Sequence, residues 1–233
     1  MKKKYKVCVI PARGGSKRIK NKNIKSFNGK PLISYSINSA IKSKIFDDII
    51  VSTDSEKIAK IAKKYGARVP FLRPKKLAND FANDLQVIKH YFEYNKKNQI
   101  KVDYMCYLYA TAPLLKISTL KKCYQKLINS NYTRVMTILK FDVPIQRALK
   151  KNTKGEIFFK DNKFLKFRSQ DLIEYYHDAG QCYWFDVKKF KKEISSKWQK
   201  TIGVELGRDE AIDIDTPDDF KMAEKLYKLI KIK

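Results

Sequence analysis

The sequence predicts a three-layer α/β fold, a mainly parallel sheet with helices packed over it. Three observations point there. From the start to about residue 140, short apolar β-prone runs alternate with segments of helical periodicity, the pattern of a parallel sheet covered by helices. A chain of 233 residues is long enough for one sizeable α/β core, so any second lobe would be an excursion from it. No repeat, low-complexity stretch or linker marks a second independent domain, and residues 1–233 are expected to form one.

The first strand is expected over Tyr5 to Ile10. The others follow at Asp48 to Ser52, Arg68 to Leu72, Val102 to Tyr109 and Arg134 to Leu139. Helices fit between them at Leu32 to Lys42, Ser55 to Lys64, Leu85 to Asn95 and Ser118 to Ile128. Pro31 suits a first helical turn. Gly66 behind Lys63, Lys64 and Tyr65 is a helix stop, because glycine accepts the left-handed conformation and cations favour the negative helix end. Residues 141–176 break this rhythm with short alternating pieces around Gly155, Ile157 to Phe159 and Phe164 to Phe167. They read as a hairpin-rich arm whose aromatics either cover another subunit or pack on their own domain. β-prone runs return at Cys182 to Phe185 and Ile202 to Leu206, and an amphipathic helix from Pro217 to Ile230 closes the chain.

The formal charge of +27 invites a nucleic-acid or anionic-membrane reading. Lysine supplies most of it and is spread over every predicted helix and loop, whereas a nucleic-acid binder concentrates Lys and Arg and interleaves aromatics. No nucleic-acid partner is therefore expected. No run approaches the ~18 apolar residues of a membrane span, and the Met-Lys-Lys-Lys start enters a strand without a signal-peptide core. A cytoplasmic protein without a membrane partner is the expectation. Cys8, Cys106, Cys123 and Cys182 lack CxxC spacing and read as reduced core residues.

Directly after the first strand comes ARGGSKRIKNKN, residues 12 to 23. Two glycines let the backbone curl, and Arg13, Lys17, Lys20 and Lys22 surround it with positive charge. Such a loop can cradle phosphates through its N–H groups, although a basic Gly-Gly turn is also an ordinary surface feature. It has neither the Walker nor the GxGxxG spacing. Near the other end, GRDEAIDIDTPDDF sets Asp213 and Asp215 one residue apart. In an extended segment both carboxylates face one side, with Ile212 and Ile214 opposite. Magnesium takes one or two carboxylates plus substrate phosphate oxygens, so this pair is the candidate Mg2+ site. Asp218 and Asp219 behind Thr216 and Pro217 instead fit a helix start with Thr216 as N-cap.

PARGGSKRIKNKN resembles the loop that opens the CMP-sugar synthetases, the sialate, Kdo and related cytidylyltransferases, whose pattern is ARxGSKxxxxKN. STD at Ser52 to Asp54, LRP at Leu72 to Pro74, LANDFAND at Leu77 to Asp84 and the paired-aspartate segment follow in that family's order, so the resemblance covers nearly the whole chain. It implies a Rossmann-like nucleotide-binding fold and transfer of CMP from CTP to an acidic keto sugar. Ala12, Arg13, Gly14, Gly15, Ser16, Lys17, Lys22 and Asn23 become contacts to the triphosphate and ribose. Arg73, Ala78 and Asn83 become further nucleotide contacts, the Ala78 backbone reading the base edge. Without the resemblance Arg73 is a solvated charge, and Asn79, Asp80, Asn83 and Asp84 are loop and capping residues. Arg13, Lys17 and Asp215 are expected to carry the chemistry, the cations neutralising the transition state and the leaving pyrophosphate.

The sugar end departs from the sialate pattern. LYATAPLL stands where many sialate enzymes read LQPTSPL, with Tyr109 in the position of a sugar-contacting glutamine, and EYYHDAGQCYW places Ala179 where asparagine is expected. This variant resembles the pseudaminic acid cytidylyltransferases, whose sugar is a 5,7-diamino-3,5,7,9-tetradeoxy nonulosonate. Tyr109, His177, Asp178 and Gln181 are the sugar-side candidates, although His177 also fits a hydrogen-bonded structural role. The same chemistry on legionaminic or N-acetylneuraminic acid is the alternative. The resemblance also implies a homodimer in which the arm at residues 141–176 reaches the neighbouring site.

Overall fold

The computed structural model describes residues 3–194 and 200–232. Strand β1 (Lys6–Pro11) runs through the middle of the protein with Val7, Cys8, Val9 and Ile10 fully buried, as a strand covered on both faces must be. A small hairpin, β2 (Ser26–Phe27) and β3 (Lys30–Pro31), leads into α1 (Leu32–Ser43). Pro31 stands one residue ahead of this helix rather than inside its first turn. β4 (Asp48–Ser52) and α2 (Glu56–Lys64) follow. Ser55 caps α2 by accepting the Ile58 N–H, and Gly66 ends it at φ +93°, a left-handed conformation that glycine accepts without strain.

Helix α3 (Asp84–Lys97) opens on a reciprocal cap between Asn83 and Gln86. β5 (Tyr104–Leu108), α4 (Ile117–Ile128) and β6 (Arg134–Lys140) complete the alternating part. The arm then carries a hairpin of β7 (Leu149–Lys151) and β8 (Ile157–Phe159). Beyond it come β9 (Tyr176–Asp186), α5 (Val187–Glu193), β10 (Thr201–Glu205) and α6 (Pro217–Ile232).

The main sheet has the order β10-β6-β9-β5-β1-β4. β1 is parallel to β4 and β5, β6 is parallel to β10, and only β9 runs against its neighbours. One face packs on α1, α2 and α4 through Ile33, Ile37, Ile58, Leu120 and Leu127. The other packs on α3 and α5 through Val87, Tyr91, Phe92 and Phe190. This is the expected three-layer α/β arrangement. A third cluster joins Phe27, Leu32 and Tyr35 to Ile214 and Phe220, tying the last helix back to the segment behind β1. All four cysteines are buried free thiols, and no described helix is long and apolar enough to cross a membrane.

Some elements differ from expectation. Arg68 to Leu72 touches β4 only through isolated bridges at Arg68 and Leu72, because Pro70 between them has no N–H for a ladder. Phe164 to Phe167 is a tight helical turn, not a strand. β9 is longer than the run Cys182 to Phe185, extending back to an exposed polar beginning at Tyr176. Helix α5 was not foreseen: it is short and lysine-rich, held by the Asp186 side chain, which accepts the Lys189 N–H.

Candidate active site

The C-terminal ends of β1, β4 and β5 point the same way, which is where open parallel sheets bind ligands. A cleft of about 340 Å³ opens there. Its walls come from the loop after β1, the Arg73 region, the start of α3, the residues after β5 and Asp215.

The loop is shaped by local bonds. The Ala12 N–H donates to Ser52 O at 2.9 Å, and the Gly14 N–H donates to Asp54 Oδ1 at 2.8 Å. A Cβ on Gly14 would stand 3.1 Å from the Ser55 Cβ, so glycine lets the loop lie against the cap of α2. Asn23, itself buried, donates from Nδ2 to Arg13 O at 2.9 Å. Ser52 to Asp54 therefore serves as the seat of the loop. Because the Gly14 N–H is committed to Asp54, it is not free for a phosphate, and Ala12 is a packing residue outside the cleft lining.

Arg13, Ser16, Lys17, Lys22 and Asn23 face the cleft. Asp215 meets them from the other end of the sequence: Lys22 Nζ lies 3.3 Å and Arg18 Nη1 2.9 Å from its carboxylate. Lys22 also donates to Ile214 O at 2.6 Å. Ile212 and Ile214 pack into the cluster around Phe27 and Phe220, the alternation expected of the IDID segment. Asp213 stays outside the cleft lining. Its carboxyl pKa is raised by lost hydration and then by the like charge of Asp215. Thr216 caps α6 as expected, its Oγ1 accepting the Asp219 N–H at 3.2 Å while Asp219 accepts the Thr216 N–H.

Arg73 is buried beneath the cleft. Its guanidinium donates to Ser52 O and to Leu77 O, while its Nε has no acceptor. Burial lowers its pKa, and Asp54 and Asp84 offset this only in part, through space. Among the described residues no carboxylate bonds this buried cation directly, so much of its charge is uncompensated. Ala78 and Asn83 do not reach the cleft lining. The Ala78 N–H is spent on Lys75 O, and Asn83 on the cap of α3.

Besides the contacts named from the sequence, three charged side chains line the cleft, two of them, Asp80 and Asp84, from the LANDFAND segment that the resemblance marks as more than capping. Asp80 holds Arg13 Nη1 at 2.8 Å and Lys17 Nζ at 2.5 Å, and those two hydrogen bonds keep its carboxyl below the ordinary range. Arg18 pairs with Asp215. Asp84 accepts the Tyr107 hydroxyl on Oδ1 at 2.8 Å and the Tyr109 hydroxyl on Oδ2. Local sequence gives no signal for these pairings, because their partners lie 23 to 197 positions away (for the longest, 215 − 18).

Of the sugar-side candidates, Tyr109 lines the cleft. Asp178 lies in an adjoining hollow and accepts the Tyr183 hydroxyl at 2.7 Å. Gln181 is buried, its amide donating to Ala179 O and Gly180 O, its Oε1 unpartnered. His177 is exposed against Phe141, with ring centroids 4.9 Å apart. Neither Gln181 nor His177 reaches the cleft lining.

Among the described residues no group of three or more His, Cys, Asp or Glu side chains is placed to hold a metal by itself. With Ile212 and Ile214 packed inward, Asp213 and the cleft-lining Asp215 are a two-carboxylate donor set that fits the alternative, a hard cation shared with ligand phosphate oxygens.

The sequence profile of a family described as Cytidylyltransferase matches residues 7–232. A pseudaminic acid cytidylyltransferase of Campylobacter jejuni subsp. jejuni is 45% identical over 225 residues, 96% of each chain. A CMP-N,N'-diacetyllegionaminic acid synthase of Legionella pneumophila is 33% identical, covering 96% of each. The solved structure of a CMP:2-keto-3-deoxy-manno-octonic acid synthetase complexed with CTP superposes at a TM-score of 0.68 over 98% of this chain and 99% of that one, at 16% identity.

Proposed function

The chain belongs to the cytidylyltransferase family, and from that premise we propose that it couples CTP to pseudaminic acid, giving CMP-pseudaminic acid and pyrophosphate. The observation that carries the chemistry is the shared cleft, in which the basic loop after β1 faces Asp215. The 45% identity to a pseudaminic acid cytidylyltransferase supports the choice of sugar.

In this reading the triphosphate lies along the loop. Arg13 and Lys17 exchange Asp80 for phosphate oxygens, and Arg73 supplies a further positive charge from below. The anomeric C2 hydroxyl oxygen of the sugar attacks the α-phosphorus as the bond to the β-phosphate oxygen breaks. The hydroxyl proton goes to solvent, and the leaving electron pair goes to pyrophosphate, which Arg13 and Lys17 stabilise. Lys22 and Arg18 hold Asp215 in orientation, while Asn23 fixes the loop through Arg13 O. Asp213 and Asp215 would hold Mg2+, which when bound supplies charge neutralisation at the phosphates and acidifies the attacking hydroxyl.

The arm is proposed to build a homodimer. Ile157, Phe158 and Phe159 on β8 and Ile173 beyond it are exposed, and apolar side chains clustered on a projecting hairpin call for a partner surface.

The test is to incubate the purified protein with CTP and Mg2+ and, in turn, pseudaminic, legionaminic and N-acetylneuraminic acid, reading pyrophosphate release. Highest kcat/KM on pseudaminic acid is expected. Preference for another of the three refutes the sugar assignment, and release with none refutes the reaction.

A further inference from the structure

We propose that the hollow beside the nucleotide cleft, between α3 and β9, receives the acylamino end of the sugar, and that Asp84 and Asp178 with the tyrosines they hold select N–H donors carried on apolar substituents. This rests on the functional reading above and assigns its specificity to a place.

The hollow encloses about 290 Å³ and adjoins the cleft, Asp84, Tyr107 and Tyr109 lining both. A ligand whose reacting end sits at the loop has this hollow as its neighbour on the Tyr109 side. The floor is apolar, made by Leu85, Ile88, Phe185 and Phe190.

The polar groups at the mouth have one common property. The Tyr107 and Tyr109 hydroxyls donate to the two oxygens of Asp84, and the Tyr183 hydroxyl donates to Asp178 Oδ2 at 2.7 Å. Burial, reinforced for each by nearby acidic groups, raises all three tyrosine pKa values and keeps the phenols protonated. Each hydroxyl has a single proton, and each proton is committed to a carboxylate. What remains for a ligand is lone pairs: carboxylate and phenol acceptors above an apolar floor. Among the described residues, the one cationic side chain lining the hollow, Arg134, sits at the start of β6, the end of the sheet away from the cleft, with its Nε on Thr201 Oγ1 at 3.1 Å.

An acylamino group matches this chemistry, offering an N–H that can only donate and a methyl that can be buried. A polyhydroxyl tail matches it poorly, because each hydroxyl also brings lone pairs that meet no side-chain donor at the mouth. Two carboxylates further repel the acid group of the sugar and turn it toward the basic loop. A glutamine at position 109 would offer both a donor and an acceptor, whereas Tyr109 with its proton held by Asp84 offers only an acceptor.

Leu85→Trp fills the hollow from the first turn of α3. It should raise the KM for a 5,7-diacetamido nonulosonate about 10-fold or more, with the calorimetric Kd for CTP and Mg2+ within about twofold of wild type. An unchanged sugar KM overturns the inference. Independently of any variant, saturation-transfer NMR on wild-type protein with the CMP-linked diacetamido sugar should show the acetamido methyls as its most strongly saturated sugar protons. Weaker saturation there than at the C3 protons overturns it too. Absence of wild-type turnover of the diacetamido sugar would sink the functional reading itself, a result distinct from normal turnover that Leu85→Trp leaves untouched.

Discussion

Replacing Arg73 with methionine should leave the fold nearly as stable as before while weakening CTP binding about 100-fold. The guanidinium is 6% exposed and donates to two backbone carbonyls, with a third nitrogen unpartnered. Its removal loses two hydrogen bonds from a charged donor, roughly 1.5–3 kcal/mol each. It also removes a buried charge whose desolvation costs several kcal/mol, so the net change in stability is within about 2 kcal/mol. The loss of one charge-assisted phosphate contact worth about 2.7 kcal/mol corresponds to the ~100-fold loss of affinity. At a CTP concentration ~100 times the wild-type Kd, the ligand adds about 2.7 kcal/mol to wild type and about 0.4 kcal/mol to the variant. For a chain of this size that is a rise in Tm of about 5–11 °C against about 1 °C. Thermal unfolding with and without CTP reads both quantities in one experiment. A variant that loses more than ~4 kcal/mol of stability yet keeps the full CTP-induced shift would mean that Arg73 is structural.

Asp80 occupies the two cations proposed to meet phosphate, so Asp80→Asn should lower the inhibition constant of pyrophosphate roughly 3–10-fold; an unchanged or higher constant counts against the arrangement. The Asp213 carboxyl is raised above its ordinary 3.8 by lost hydration and by Asp215, so the folded chain holds this proton more tightly than the unfolded one. The associated stability is present at low pH and is lost as pH rises through the folded pKa. Asp213→Asn, which cannot ionise, should therefore melt above wild type at pH 7, the difference closing as pH falls below 3.8. A lower Tm at pH 7 contradicts this. Light scattering after size exclusion should give a dimer mass for wild type and a monomer mass for Phe158→Asp; a wild-type monomer refutes the proposed role of the arm.

The parallel strands were legible because each is a short apolar run between turn signals, and β4 was delimited to the residue. Arg68 to Leu72 misled because its β-prone residues outweighed Pro70, whose missing N–H decides the matter in three dimensions. β9 was half-read: its first residues are exposed and polar, and their pairing with β6 is visible only across a gap of some 40 positions. In the site, the basic loop and Asp215 were readable from their residue types and spacing. Arg18 was not, since a surface cation has no periodicity and its partner is chosen by the fold, and Asp80 and Asp84 stood out only through the resemblance of LANDFAND. Asn83 shows the converse. Its spacing from Gln86 is a capping signature, and that local reading describes the structure better than a ligand contact does.

The proposed reaction requires Asp215 to act in the same step as the loop it faces. Steady-state pyrophosphate release by Asp215→Ala at saturating CTP, Mg2+ and pseudaminic acid tests this most directly. The carboxylate is partly exposed and its ion pairs lie at the surface, so the Tm should move by less than about 4 °C while kcat falls about 1,000-fold or more. A folded variant turning over within a few-fold of wild type would contradict the account.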